Sequence, residues 1–291
     1  MRVACLFDKV AIIGLGLIGG SLAKAAKGEN LFKKVVGIGR NEKNLKKGID
    51  LGAIDSYTTH AAEGVSDVDL VVVATPPGVI IEIIKKVVRY IPDGCIITDV
   101  GSIKEEIVKG VERFIPDNDN IYFVGGHPIA GTENSGIEAA DPFLFIGHKC
   151  VLTPTSRTNR NALERIKTMW EKVGCKVISM DMAKHDNIFA IVSHLPHVVA
   201  FSLINAIINI KDNKEDILSY SAGGLKDFTR IAASHPTMWK DIFLMNKENV
   251  LNSITHFQSS LEEIKRAIAE EDSEKLVSEF QKSREVRRAI K

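Results

Sequence analysis

Between Lys9 and about Asp181 the chain alternates short apolar runs rich in β-branched residues with stretches where charges and apolar residues recur at helical spacing. The runs are VAIIG (10–14), VVGIG (35–39), DLVVVAT (69–75), CIITDVG (95–101), NIYFVGG (120–126), KCVLTP (149–154) and CKVISMD (175–181). Several lack a polar face, as strands do in a parallel sheet covered by helices on both sides. The segments between them, such as NEKNLKKGIDLG and GVIIEIIKKVVRYI, have one apolar stripe and one charged one. Strand, helix and strand repeated in this way predict a doubly wound α/β domain with a mainly parallel sheet, over residues 1–181.

Past Asp181 the strand runs stop. HDNIFAIVSHLPHVVAFSLINAII, DFTRIAASHPTMWKDIFLMNKENVLNSITHF and SSLEEIKRAIAEEDSEKLVSEFQKSREVRRAI all read as helix, giving an all-α domain over 182–291. The first is apolar around most of its circumference, which predicts burial, against a partner subunit. His185 is expected to cap or border this helix.

Composition narrows the function classes. At 291 residues the chain accommodates one large domain or two medium ones. Lys and Arg number 38 against 37 Asp and Glu, so no field recruits nucleic acid or an anionic membrane. Cys5, Cys95, Cys150 and Cys175 are scattered without a C-x-x-C pair, each in or beside an apolar run, and read as buried thiols of a reducing compartment. MRVACLF is stopped by Asp8 and Lys9 before it can act as a secretory signal. The apolar window LVVVATPPGVIIEII is broken by Pro76, Pro77 and Glu82, so it is no membrane span. A soluble, cytoplasmic protein is expected.

VAIIGLGLIGGSLAKAA sets Gly14, Gly16 and Gly19 as G-x-G-x-x-G/A between the first strand and the first helix, with Leu17 and Ile18 in the opening turn. The glycines allow a tight turn, close approach of a pyrophosphate and close helix–strand packing, and the helix N-terminus attracts the anion. With a strand before it and a helix after it, this reads as the dinucleotide site of a Rossmann-type domain, the alternative being a merely structural glycine turn. About 20 residues on, an acid normally bonds the adenosine ribose. Here the second strand ends Gly39-Arg40 instead. Two readings stand: Arg40 pairs with the 2′-phosphate of NADP, or it is a solvated charge over adenine with NAD in use. Thr75 and Pro76 of ATPPG, closing the third strand, are placed to border the nicotinamide half.

Ligands of such sheets lie beyond the carboxyl ends of the strands. Asp99-Val100-Gly101-Ser102 and Gly125-Gly126-His127-Pro128 both end strands there. Pro128 biases His127 toward an extended backbone. An imidazole at that rim suits removal of a hydroxyl proton as hydride leaves the same carbon. The alternative is a turn histidine bonded to a neighbouring carbonyl.

Taken together, GLGLIGGS, TDVGSIK, GGHPIAGTENSG, SHLPH and DFTRIAASHPTMWKDI resemble the prephenate/arogenate dehydrogenase family of tyrosine biosynthesis, in order and over nearly the whole chain. The resemblance implies a Rossmann domain followed by a helical dimerisation domain, and oxidative decarboxylation of prephenate to 4-hydroxyphenylpyruvate with hydride passing to NAD(P)+. It implies that His127 polarises the substrate hydroxyl, that Ser102 helps orient both that hydroxyl and the histidine, that Arg230 binds a substrate carboxylate and that His197 is a second substrate-side histidine. A dianionic substrate suits a bidentate guanidinium. No fused mutase or regulatory domain is expected. Ser221-Ala222-Gly223-Gly224 and His235 depart from the family's usual GGG and Asp at those places.

Other assignments follow from local pattern. His194 and His197, at i and i+3, have no Cys or carboxylate partner nearby in sequence and Pro196 between them, so no metal site is expected. His194 reads as a core or interface histidine, Trp239 as packing and Lys226 as solvated. The rival activities are the same reaction on arogenate, an imine or β-hydroxyacid reductase, and a dinucleotide sensor without turnover.

Overall fold

A computed structural model describes residues 5–115, 120–132, 134–210 and 217–289. The start of MRVACLF, Glu133 of the histidine motif and Ile290 at the end of the last helical run lie outside them.

The main sheet is built from β1 (Phe7–Ile13), β2 (Phe32–Ile38), β3 (Ser56–Thr58), β4 (Leu70–Val73), β5 (Ile96–Asp99) and β6 (Tyr122–Val124). β1 lies near its centre because it is apolar on both faces: Val10 pairs in parallel with Val35 on one side and Leu70 on the other, and Val10 through Ile12 are fully buried. The order is β3-β2-β1-β4-β5-β6, parallel throughout. The chain crosses from β3 back past β2 and β1 to β4, which leaves a switch point at the carboxyl ends of β1 and β4, where such sheets bind ligands. α1 (Leu17–Gly28) and α2 (Glu42–Asp50) pack one face, while α3 (Ala61–Gly64), α4 (Pro77–Val87) and α5 (Glu105–Glu112) pack the other. β3 has no counterpart among the runs read from sequence, since SYT is a three-residue edge without a buried face.

Two of the expected strand runs stand outside the main sheet. KCVLTP and CKVISMD form β8 (Lys149–Leu152) and β9 (Lys176–Ser179), which join β7 (Gly126–Pro128) in a separate three-stranded sheet. The chain leaves β6 at Gly125, whose carbonyl accepts from Thr153 N at 3.0 Å, and re-enters as β7 antiparallel to β8, with His127 opposite Val151. α6 (Arg160–Lys172), started by the Asn159 side chain accepting from Ala162 N, buries Ile166, Met169 and Trp170 between the two sheets.

Asp181 accepts from Lys184 N and starts α7 (Met182–Phe189). α7 continues through a π-helical turn, Ala190–His194, into α8 (Leu195–Asn209), so Pro196 does not interrupt the rod. Pro196 follows the π-turn at once, so the N–H it lacks falls where the α-helical bond pattern is already interrupted. The expected burial of this rod is not met within one chain: only 11% of its apolar window is buried. α9 (Gly223–Thr229), a 3-10 turn at Arg230–Ala233, α10 (Pro236–Met245), α11 (Lys247–Ala269) and α12 (Ser273–Ala289) complete the domain. The last run is therefore two helices, broken where Glu271 takes φ 55°. α10 lays Trp239 and Ile242 into the core under α4 and α5, welding the domains together. Cys95, Cys150 and Cys175 are buried, and burial pushes each thiol upward. Cys5, by contrast, is exposed at the edge.

Candidate active site

Gly14 turns the chain at φ 99°, and a Cβ there would sit 2.5 Å from Ala74 O. A Cβ on Gly19 would meet Gly14 O at 2.4 Å, so α1 packs against the turn only without one. Nothing lies within 4 Å of a Cβ on Gly16, leaving its surface open. Gly16 is the N-cap of α1 with no side-chain cap and no acid in the first turn. The N–H groups of Leu17, Ile18 and Gly19 are thus in the part of the helix that lacks internal partners. Thr75 Oγ1, beside Gly14, is buried without a partner among the described residues. An uncapped helix start, an open glycine and an orphaned hydroxyl together fit a dinucleotide pyrophosphate. Arg40 is exposed at the end of β2, next to Asn41, whose side chain caps α2. Glu42, the first acid beyond β2, is tied to Lys46 and Tyr57.

His127 lies in a strand rather than a loop, and its partners were not visible in the sequence. His127 Nδ1 is 2.8 Å from His185 Nε2, and His185 Nδ1 is 2.7 Å from Asp186 Oδ1. Asp186 also accepts from Lys104 N at 2.8 Å and Glu105 N at 2.9 Å, which starts α5. Lys104 is wholly buried; its Nζ pairs with the Asp99 carboxylate and donates to Gly126 O at 2.7 Å. Asp99 in turn accepts from Gly101 N and Gly126 N. Phe189 closes over both rings, 4.9 Å from that of His127 and 4.4 Å from that of His185. Burial first, then His185, Lys104 and His194, holds His127 well below the usual histidine range. His185 is lowered by burial and partly restored by Asp186. It does not cap its helix; it is buried inside α7.

His197 Nδ1 donates to Ser193 O at 2.9 Å, and its ring stacks on Trp239 at 3.5 Å and 22°. Burial lowers His197, the bond to the Ser193 carbonyl partly restores it, and the charge of Arg230 lowers it further. His194 is buried, 3.1 Å from Asn246 Nδ2, and brought down to about 4 by burial. Trp239 packs as expected, with its Nε1 buried and unpartnered among the described residues. Ser102 is half-buried on the turn between Gly101 and Lys104, and its hydroxyl is bonded to no described residue; the His127 ring is oriented by His185 instead. Lys226 is exposed. No three His, Cys, Asp or Glu among the described residues converge as metal ligands would. The sequence put His127 and Asp99 at strand ends, while the links that join His127 to His185, Asp186 and Lys104 stayed hidden, because a buried charge leaves no periodic mark.

Comparison with known proteins agrees with this architecture. Residues 22–179 match the family model described as "Prephenate dehydrogenase, nucleotide-binding domain", and residues 181–282 match "Prephenate dehydrogenase, dimerization domain". The prephenate dehydrogenase of Bacillus subtilis is 33% identical over 281 residues, covering 96% of this chain and 75% of that protein. The cyclohexadienyl dehydrogenase of Zymomonas mobilis is 35% identical, covering 98% and 97%. Among solved structures, prephenate dehydrogenase from Aquifex aeolicus in complex with hydroxyphenyl propionate and NAD+ superposes with a TM-score of 0.91 at 40% identity, over 98% of each chain. A Rossmann-type sheet with an open glycine turn, a histidine at its rim and a helical second domain, matched along their length by both halves of one family, place this chain in the prephenate dehydrogenase family.

Proposed function

We propose that the chain catalyses the oxidative decarboxylation of prephenate to 4-hydroxyphenylpyruvate, with NAD(P)+ as hydride acceptor, in tyrosine biosynthesis. The observation that carries this reading is His127, at the rim of the dinucleotide domain with its ring fixed by His185. His127 takes the proton of the substrate hydroxyl as the C–H bond on the same carbon breaks. The nicotinamide, when bound, accepts that hydride. The ring carboxylate then leaves as CO2, its bonding pair completes the aromatic ring, and His127 returns its proton to the phenolic oxygen. Product aromaticity supplies much of the driving force, so the protein's share is orientation and proton transfer.

Ser102, with an uncommitted hydroxyl on the turn that follows β5, is assigned to the substrate hydroxyl. Arg230 and His197 are assigned to the substrate's carboxylates, with Trp239 as the floor under His197. Gly14, Gly16, Leu17, Ile18, Gly19, Thr75 and Pro76 are assigned to the dinucleotide, and Arg40 to its adenosine end. We divide the domains at Asp181, the residue that starts α7. The rod Met182–Asn209 is long and apolar enough to cross a membrane by length and composition. His185, Asp186 and His194 tie it to the site, so we assign its exposed face to a second copy of the chain and the enzyme to the cytoplasm, with neither membrane nor nucleic acid as partner.

The test is a 340 nm assay crossing prephenate and arogenate with NAD+ and NADP+. Reduction with prephenate is expected, and the preferred dinucleotide decides between the two readings of Arg40. Turnover of arogenate alone would keep the mechanism and change the substrate. Absence of turnover in all four combinations, with dinucleotide still bound, would overturn the proposal.

A further inference from the structure

We propose that His185 and Asp186 are positioning residues that hold His127 in the one tautomer able to act as base; this rests on the assignment of His127 above.

The hydrogen-bond chain has a direction. A carboxylate oxygen cannot donate, so across the 2.7 Å contact His185 Nδ1 gives its proton to Asp186 Oδ1. His185 is fully buried, and burial outweighs the Asp186 carboxylate and lowers its pKa, so near neutral pH the ring is neutral, with a lone pair and no proton on Nε2. Across the 2.8 Å contact the proton then belongs to His127 Nδ1. A neutral imidazole protonated at Nδ1 has its lone pair at Nε2. When His127 receives the hydroxyl proton, its Nδ1–H bond to His185 need not turn or break. The acceptor waits in place, and the Asp186 charge lies one ring further on, the arrangement that lowers reorganisation during proton transfer.

A packing role does not account for these contacts. A residue that only filled space against Phe189 would need no nitrogen at 2.8 Å from His127 Nδ1. A residue that only capped α5 would need the Lys104 and Glu105 N–H groups and no imidazole. Asp186 fixes the histidine by two routes instead. Through His185 it sets the ring. Through the backbone of Lys104, whose Nζ holds Gly126 O, it sets the strand residue immediately before His127. Catalytic ring and catalytic backbone are both referred to one carboxylate on the first helix of the other domain.

The experiment compares His185→Gln and His185→Leu, each alone and combined with His127→Asn, in the full-length enzyme. The carbonyl of Gln reaches the place of Nε2 and accepts from His127 Nδ1, whereas Leu offers no acceptor. His185→Leu is expected to lower kcat by about ten- to a hundredfold, the rate equivalent of one buried hydrogen bond. Its KM for prephenate and its Kd for the dinucleotide should stay within about twofold, since ground-state binding is untouched. His185→Gln should recover most of the lost kcat. In the His127→Asn background, His185→Leu should cost almost nothing further, because residues acting as a unit are non-additive. If Leu prevents folding, His185→Asn replaces it, its amide too short to meet His127 Nδ1. Wild-type kcat in His185→Leu, equal losses for Gln and Leu, or a full additional loss in the His127→Asn background would each overturn the dyad. An active His127→Asn single variant would instead overturn the assignment of His127 itself.

Discussion

His127→Asn removes the atom assigned to the proton and keeps a polar side chain of similar reach. Turnover should fall by at least about a hundredfold, the usual size of a general-base contribution. Dinucleotide affinity, measured by titration of the apoprotein, should not change, because the glycine turn is untouched. The pH profile follows from the groups around the ring: His185 and Phe189 on α7, Lys104 and Asp99 beside the strand, and His194 on the π-turn. Burial first, then His185, Lys104 and His194, depress His127, so the neutral form persists below pH 6.5 and the base is lost only further down. The acid limb of kcat/KM should accordingly lie below 6.5, and a limb centred at or above it would contradict the burial argument. Arg230→Gln should act on the ground state, raising KM for prephenate with a smaller change in kcat, through loss of charge-assisted bonds to a carboxylate. An unchanged KM would make Arg230 structural.

Elements were legible in proportion to how strongly they alternate or persist. VAIIG and DLVVVAT announce buried parallel strands because both faces are apolar, and the glycine turn between β1 and α1 is written in the order of its residues. β3 and β7 are three residues each, held by the neighbours they pair with, and no local signal distinguishes GHP in a strand from GHP in a turn. The break between α11 and α12 falls in EEDS, without Gly or Pro, so its composition reads as helix although Glu271 adopts φ 55°. The site shows the same division. His127 stood out in its Gly and Pro frame, whereas Lys104 reads as an ordinary surface lysine until the fold places Asp99 against it. At this scale the dinucleotide turn makes its own prediction. Gly14→Ala forces a side chain to φ 99° and into Ala74 O. Strain of this kind costs about 1–3 kcal/mol, so apoprotein titration should show dinucleotide affinity reduced by roughly tenfold or more. Retained affinity would show that the turn can open.

Across the whole molecule the helical domain leaves a broad apolar surface uncovered. Ile191, Val192 and Ile208 along the rod are 54%, 63% and 61% exposed, and Leu251, Leu261 and Phe280 on α11 and α12 stay open too. Contiguous apolar patches of this kind mark association surfaces. Sedimentation should therefore find a dimer, and Ile208→Glu, far along the rod from His185, should shift the mass toward the single chain. An unshifted mass would place the contact elsewhere on the domain. The rod's π-turn has a further consequence, one of phase. In an uninterrupted α-helix, His185 and His197 would stand about 120° apart around the axis, because twelve steps of 100° overshoot three turns. A π-turn acts as one inserted residue and takes back roughly one step, bringing the two rings to within about 20° of a common line. One helix can thus bring its first histidine to His127 and its second to Trp239, and the wide turn at Ala190–His194 sets the angle between those two contacts.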